Sequence, residues 1–364
     1  MLTAVSLFAG VGGFDLAMQR NGIQVVATVE IDKHARKVLA RHFPEATHFE
    51  DVRKVTGEQL RDAGFVPERG IITGGFPCQD LSVAGRRAGL AGERSGLFWE
   101  IVRLVDELAP RWLVLENVPG LLSSNGGRDM GIVLGALGEL GYGFAYRVLD
   151  AQYFGVAQRR RRVFIVGRAG DDGRTPGEIL ALAEGVSGHP APSRATGQEI
   201  AADAGPGVAN TLGTKRRHDL DNETYVKVIR SGARDENGDL PAEVWAERDV
   251  APTLNVMDNT GDSRATVTIA RTLTARHDSS PDGDRGFNVV PDGSTVRRLT
   301  PVECERLQGF EDNWTKYRLN DKGEIVEQPD SARYKQMGNA VCVPVVEWIM
   351  ERLVSLDERA KEEA

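Results

Sequence analysis

The sequence has few cysteines, no long apolar run and no surplus of basic residues. Its three cysteines, Cys78, Cys304 and Cys342, lie far apart with no C-x-x-C pair. That spacing argues against a zinc site or a disulfide framework and fits a reducing compartment. No stretch approaches the length needed to span a bilayer. The opening MLTAVSLFAGVGG lacks the basic start of a signal peptide, and glycines interrupt its short apolar run, so it reads as a buried strand. The net charge of -8 does not favour a phosphate-rich partner, because phosphate contacts draw on Lys and Arg. The charge is uneven, however. Arg159, Arg160, Arg161, Arg162 and Arg168 fall in a stretch free of acids, and Lys215, Arg216 and Arg217 form a second run, so the acid total still allows a local basic face.

What is present suffices for a large core: 364 residues, 41% of them hydrophobic, suit one big domain with a smaller one beside it. Over residues 3–168 short apolar runs alternate with helical patterns, which predicts an α/β domain with a parallel sheet and crossover helices. Strands are expected at 4–8, 24–29, 70–73, 112–115, 144–150 and 163–166, and helices at 14–20, 33–42 and 97–108. From about 169 to 294 the pattern dissolves into Gly, Asp, Pro, Ser and Thr with short β-type pieces at 225–229 and 266–269, as in a separate loop-rich domain. A loose phrase recurs there, at Val208, Val250 and Ile269, but its uneven spacing rules out a solenoid. Residues 295–364 return to regular structure. Thr300, Pro301 and Glu303 form a capping box with proline at the first helical position, predicting a helix to about 307. A last helix is expected over 341–353, followed by a charged, frayed tail from Asp357.

Four segments carry chemistry. Phe8, Gly10, Gly12 and Gly13 lie in a glycine-rich turn that follows a strand and opens a helix, so the backbone can approach a nucleotide-like ligand. Glu30 ends the next strand, where a carboxylate accepts hydrogen bonds from two ribose hydroxyls, and Asp51 stands where a third strand ends, within reach of an adenine amino group. The dinucleotide fingerprint wants glycine at position 15 and finds Asp15. A turn that need not seat a pyrophosphate suits S-adenosylmethionine, although a glycine turn can also merely close strand on helix. Gly74-Gly75-Phe76-Pro77-Cys78-Gln79 follows a buried strand. A lone cysteine is more often inert core, but the flanking glycines and proline fix an exposed loop at a carboxyl edge of the sheet. Glu116-Asn117-Val118 ends the next strand. A carboxyl group buried there would have its pKa raised and could act as an acid, or else it merely caps the strand end. In Gln158-Arg159-Arg160-Arg161-Arg162, strand alternation puts Arg160 and Arg162 on one face and Arg159 and Arg161 on the other.

These blocks, with RRLTPVECERLQGF from Arg297 and QMGNAVCVPV from Gln336, resemble the DNA cytosine-5 methyltransferase family of prokaryotic and phage type over roughly residues 3–168 and 295–355. The resemblance implies a Rossmann-like S-adenosylmethionine-dependent domain at 1–168, a target recognition domain at 169–294 and a closing segment at 295–364. It implies that the Cys78 thiolate attacks carbon 6 of a flipped cytosine while Glu116 engages ring nitrogen 3. Arg162 would contact the cytosine carbonyl oxygen, with Arg160 supporting the site and residues 82–95 forming a closing loop. Cofactor contacts would come from Phe8, Gly10, Gly12, Gly13, Glu30, Asp51, Pro77, Leu97 and Asn339. Lys215, Arg216, Arg217, Arg271, Arg276 and His277 are the candidate readers of double-stranded DNA. No metal is expected. A monomer in the cytoplasm at the nucleoid, with a restriction endonuclease acting on the same site, completes the expectation. Because the glycine turn begins so near Met1, a stand-alone enzyme without an amino-terminal regulatory domain is expected. A nicotinamide oxidoreductase has no use for the cysteine and glutamate loops. A zinc deaminase needs a second cysteine where Leu81 stands. A branch of the same family acts on transfer RNA, and a catalytically silent DNA-binding member is the remaining rival.

Overall fold

The structure is a computed structural model that describes residues 1–77, 96–181, 289–292 and 295–362, with 289–292, 295–298 and 361–362 described by backbone alone. Cys78, the 82–95 loop, the β-type pieces at 225–229 and 266–269, and Lys215, Arg216, Arg217, Arg271, Arg276 and His277 all lie outside the described residues. The chain divides into two compact units, and the larger includes Met1–Ala181 and Arg297–Ala364.

The larger unit is built on a seven-stranded sheet. Its strands are β1 (Thr3–Leu7), β2 (Gln24–Val29), β3 (Thr47–Phe49), β4 (Gly70–Gly75), β5 (Trp112–Asn117), β6 (Tyr142–Asp150) and β7 (Arg161–Ala169), in the order β3-β2-β1-β4-β5-β7-β6. Helices α1 (Gly13–Arg20), α2 (Lys33–His42), α3 (Gly57–Asp62), α4 (Leu97–Leu108), α5 (Arg128–Glu139) and α6 (Arg174–Leu180) follow in chain order. Beyond a two-stranded pair, β8 (Val289–Asp292) with β9 (Thr295–Arg298), come α7 (Pro301–Leu307), the pair β10 (Tyr317–Leu319) and β11 (Ile325–Glu327), α8 (Asp330–Asn339) and α9 (Val343–Glu362). Both sheet faces are covered. Trp112 and Val114 face the core under α1 and α9, whereas Leu113 and Leu115 face the one under α4 and α5, as expected of a central strand buried on both sides.

Two sequence expectations need correction. The sheet is not wholly parallel, because β7 pairs antiparallel with both β5 and β6. The link from Asp150 to Arg161 is too short for the crossover of about a dozen residues that a parallel return requires. The tail does not fray at Asp357 either, since α9 continues to Glu362. Asp357 is buried, accepting from Trp112 Nε1 at 3.1 Å and pairing with Arg111 Nε at 2.7 Å, so it anchors the helix. The predicted capping box is present, with Thr300 and Glu303 each satisfying the other's backbone. Helix 97–108 matches its expected bounds. Its apolar residues recur at helical spacing, and Ala109 ends it in the left-handed region at φ 49°.

Asp15, which breaks the dinucleotide fingerprint, is fully buried in the first turn of α1, where a carboxyl group complements the helix dipole. Burial nevertheless pushes its pKa up to about 7, offset only in part by the Ser6 hydroxyl. Its pKa is raised above the unfolded value, so the folded state keeps the proton in the window between the two values and loses stability as pH rises from about 4 through 7. Replacing Asp15 by Asn should flatten the pH dependence of unfolding over that window. Well above pH 7 the variant should be more stable than the parent by on the order of 4 kcal/mol, as read by urea denaturation; parallel pH profiles would contradict the assignment.

Candidate active site

Where β1 ends, the chain turns through Phe8 at φ 55° and Gly10 at φ 57°, and Gly12 caps α1 at φ 91°. A phenylalanine in the left-handed region is strained, and such strain concentrates at ligand sites. Gly12 also cannot carry a side chain, since a Cβ there would lie 2.6 Å from the Phe43 ring. Glu30 faces this turn from the end of β2, accepting the Gly10 amide at 2.7 Å on one oxygen and the Asp32 amide at 2.8 Å on the other. Burial raises its pKa, and the two amides oppose the shift. A carboxylate has roughly four acceptor positions, so two remain, which is what a ribose diol asks for. Beside it Ile31 is exposed, an apolar side chain suited to a flat ring. A Cβ on Gly10 would meet nothing within 4 Å, so the turn opens onto space. The residues fit S-adenosylmethionine.

The other expected cofactor residues are placed less uniformly. Asp51 follows β3 as expected, but Arg53 takes up its carboxylate through Nε and Nη2, each at 2.9 Å, and holds its pKa low. Leu97 opens α4 and packs half-buried on the core, and Pro77 is exposed directly after the buried Phe76. Asn339 ends α8 and is the one exposed residue in the buried run 336–343.

The carboxyl ends of β4 and β5 bring the second group together. Glu116 pairs with Arg162, Oε1 to Nε, at 2.9 Å, with both side chains largely buried. Glu116 lies opposite Gly75 in the register, and a Cβ on Gly75 would sit 3.1 Å from its second oxygen, so the bare glycine gives the carboxylate room. Arg162 reaches Glu116 because β7 runs backwards, starting at the edge where β5 stops. Arg160 is buried on the same face as Arg162, whereas Arg159 and Arg161 are exposed, in line with strand alternation. Glu116 thus stands at the strand end with a guanidinium partner beside it. Cys304 and Cys342 are buried, and burial pushes their thiols up to about 12.

A family model described as C-5 cytosine-specific DNA methylase matches residues 2–355. The chain belongs to this family. It is 29% identical to Type II methyltransferase M.Sau3AI of Staphylococcus aureus, covering 100% of this chain and 98% of that one. It is 30% identical to Type II methyltransferase M2.BsuMI of Bacillus subtilis (strain 168), covering 97% and 75%. Among solved structures, the S. pombe Dnmt2 methyltransferase superposes with a TM-score of 0.58 at 16% identity over 98% of this chain and 99% of its own, which shows a shared fold.

Within this methylase two residues matter to which the sequence reading gave no task. Asn117 donates from Nδ2 to the Phe76 carbonyl at 2.9 Å, tying the end of β5 to the backbone just before Pro77 and Cys78. Asp150 accepts the Arg160 amide at 3.1 Å and fixes the entry to β7. Asn117 lies within Glu116-Asn117-Val118, but nothing local marks Asp150. Gly12→Ala should combine left-handed strain with overpacking against Phe43, costing about 2–4 kcal/mol of stability. Chemical denaturation reads this directly, and a loss under 1 kcal/mol would mean that the turn is not as tight as described.

Proposed function

We propose that this cytosine-5 methyltransferase works through a covalent adduct between Cys78 and a cytosine flipped out of double-stranded DNA, with Glu116 and Arg162 reading the base. The observation that carries the reading is the Glu116–Arg162 pair at 2.9 Å. Ring nitrogen 3 and the neighbouring carbonyl oxygen are adjacent on cytosine's pairing edge, so adjacent acid and guanidinium groups match them. Cys78 follows Pro77 off the end of the neighbouring strand. The other two cysteines, Cys304 and Cys342, are buried, and burial pushes both thiols up to about 12.

Its thiolate forms a bond to carbon 6. Glu116 supports the charge that reaches nitrogen 3, and carbon 5 becomes nucleophilic. S-adenosylmethionine held at the Gly10–Gly13 turn would supply an electrophilic methyl group to carbon 5, its sulfonium carbon–sulfur bond breaking to leave S-adenosylhomocysteine. A base then removes the carbon 5 proton, the sulfur–carbon bond breaks, and Cys78 leaves as thiolate. Arg162 orients the base through its carbonyl oxygen. Extrusion of the cytosine costs a few kcal/mol of unstacking, offset by such contacts. Cofactor contacts are assigned to Phe8, Gly10, Gly12, Gly13, Glu30, Asp51, Pro77, Leu97 and Asn339. The names of the relatives support a place in restriction and modification, with an endonuclease of the same target as partner. Residues 169–294 are assigned to target recognition, with Lys215, Arg216, Arg217, Arg271, Arg276 and His277 as readers, in a monomer acting at the nucleoid.

Cys78→Ala should abolish methyl transfer to genomic DNA from labelled cofactor yet bind the cofactor as before, while DNA containing 5-fluorocytosine should trap the wild type. An adduct mapped to Cys304 or Cys342 would overturn the nucleophile, and labelling of transfer RNA instead of DNA would overturn the substrate. Glu116→Gln keeps the shape and should slow transfer by about 10²- to 10⁴-fold, whereas a rate within threefold of wild type would remove its role. Grafting 170–290 into a relative with another target should carry this protein's sequence preference with it. An active hybrid that keeps the recipient's target would refute the division of labour.

A further inference from the structure

The first-turn carbonyls of a helix are satisfied within it, but the last four have no partners inside the helix. At the end of α8 two of them, and the carbonyl of Ala340 just beyond, are held from far away in the chain. Gln308 Nε2 donates to the Met337 carbonyl at 2.9 Å. Arg160 Nη2 donates to the Ala340 carbonyl at 2.7 Å and reaches the Gly338 carbonyl at 3.5 Å. Both side chains are buried, Arg160 with 3% of its surface exposed and Gln308 with none. The carbonyls they hold surround one exposed side chain, Asn339. A cation is well placed at a helix carboxyl end, and the contact helps to offset the cost of burial, which together with the nearby Arg162 guanidinium lowers the pKa of Arg160.

The main chain of Arg160 is fixed as firmly. Its amide donates to Asp150 Oδ1 at 3.1 Å, and its carbonyl accepts the Ala151 amide at 3.0 Å. Two residues on, and on the same face, Arg162 pairs with Glu116. A single short segment at the start of β7 thus grips the end of α8 with one arginine and the acid of the base site with the next.

We propose that Arg160 is a positioning residue that couples the two halves of the site, setting Asn339 toward the cofactor while its backbone sets Arg162 against Glu116. This rests on the reading of Asn339 as a cofactor contact. Arg160 then acts through Asn339 in cofactor binding and through Arg162 in turnover.

A double-mutant cycle tests it, with S-adenosylhomocysteine binding measured by titration calorimetry without DNA. Arg160→Met and Asn339→Ala should each weaken binding about tenfold, the worth of roughly one hydrogen bond. The double variant should bind no more weakly than Asn339→Ala alone, because Arg160 has nothing left to position. At saturating cofactor, Arg160→Met should also lower kcat on genomic DNA, whereas Asn339→Ala should act mainly on the KM for cofactor. Arg160→Lys keeps the charge but satisfies fewer carbonyls, so it should fall between wild type and Arg160→Met; it carries the test if the methionine variant does not fold. Multiplying effects in the double variant, or binding within threefold of wild type for Arg160→Met, overturn the proposal. Unchanged binding by Asn339→Ala overturns the route through Asn339, and methyl transfer by the wild type then leaves the reading of the enzyme standing.

Discussion

The site depends on one reversed strand. Strands β1, β2, β4 and β5 run the same way and leave their carboxyl ends on one edge, where the glycine turn, Glu30 and Glu116 collect. Carboxylates alone would repel one another there and could not be buried without cost. Because β7 enters antiparallel between β5 and β6, its first residues arrive at that same edge and bring guanidinium groups with them. A seventh strand returning in parallel would have begun at the opposite edge, and Arg162 would have been a sheet's width away from Glu116. The partnership that lets a largely buried acid remain in place is therefore a matter of topology before it is one of side chains.

That topology explains which parts were legible. The glycine turn, Glu30 and the Glu116 strand end are local patterns, a β-type run followed by its punctuation, and they appear where expected. Helix α4 was readable to the residue because its apolar spacing and its stop are both written within it. The direction of β7 was legible in principle, since no helical pattern separates Asp150 from Arg161. What escaped depends on partners distant in the chain. Helix α8, DSARYKQMGN, has little apolar periodicity and buries Arg333 and Gln336. It can do so because Arg333 Nη2 reaches Glu305 at 3.1 Å, and Glu305 in turn accepts the Asn313 amide at 2.8 Å and the Thr315 amide at 2.9 Å. Polar satisfaction of this kind leaves no mark on hydropathy. Asp357 was misread for the same reason, as its charge suggested solvent until Trp112 and Arg111 supplied donors.

The arginine run shows how far a count of charges can mislead. As sequence, Arg159 to Arg162 with Arg168 is a basic stretch in an acidic chain and invites a phosphate partner. In the fold, Arg160 is buried against helix-end carbonyls, Arg162 is spent on Glu116, and Arg168 stacks over Trp112 and pairs with Asp171 at 3.4 Å. Arg159 and Arg161 are the members of the run that face solvent. A guanidinium already paired in a partly buried site adds little to long-range attraction, because its field is largely cancelled by its partner at contact distance. Arg160 and Arg162 are thus internal scaffolding for the site. Within the run, Arg159 and Arg161 are the side chains left exposed to meet a polyanion, so neighbours in the chain face opposite demands, one pair solvent and the other the interior of the site.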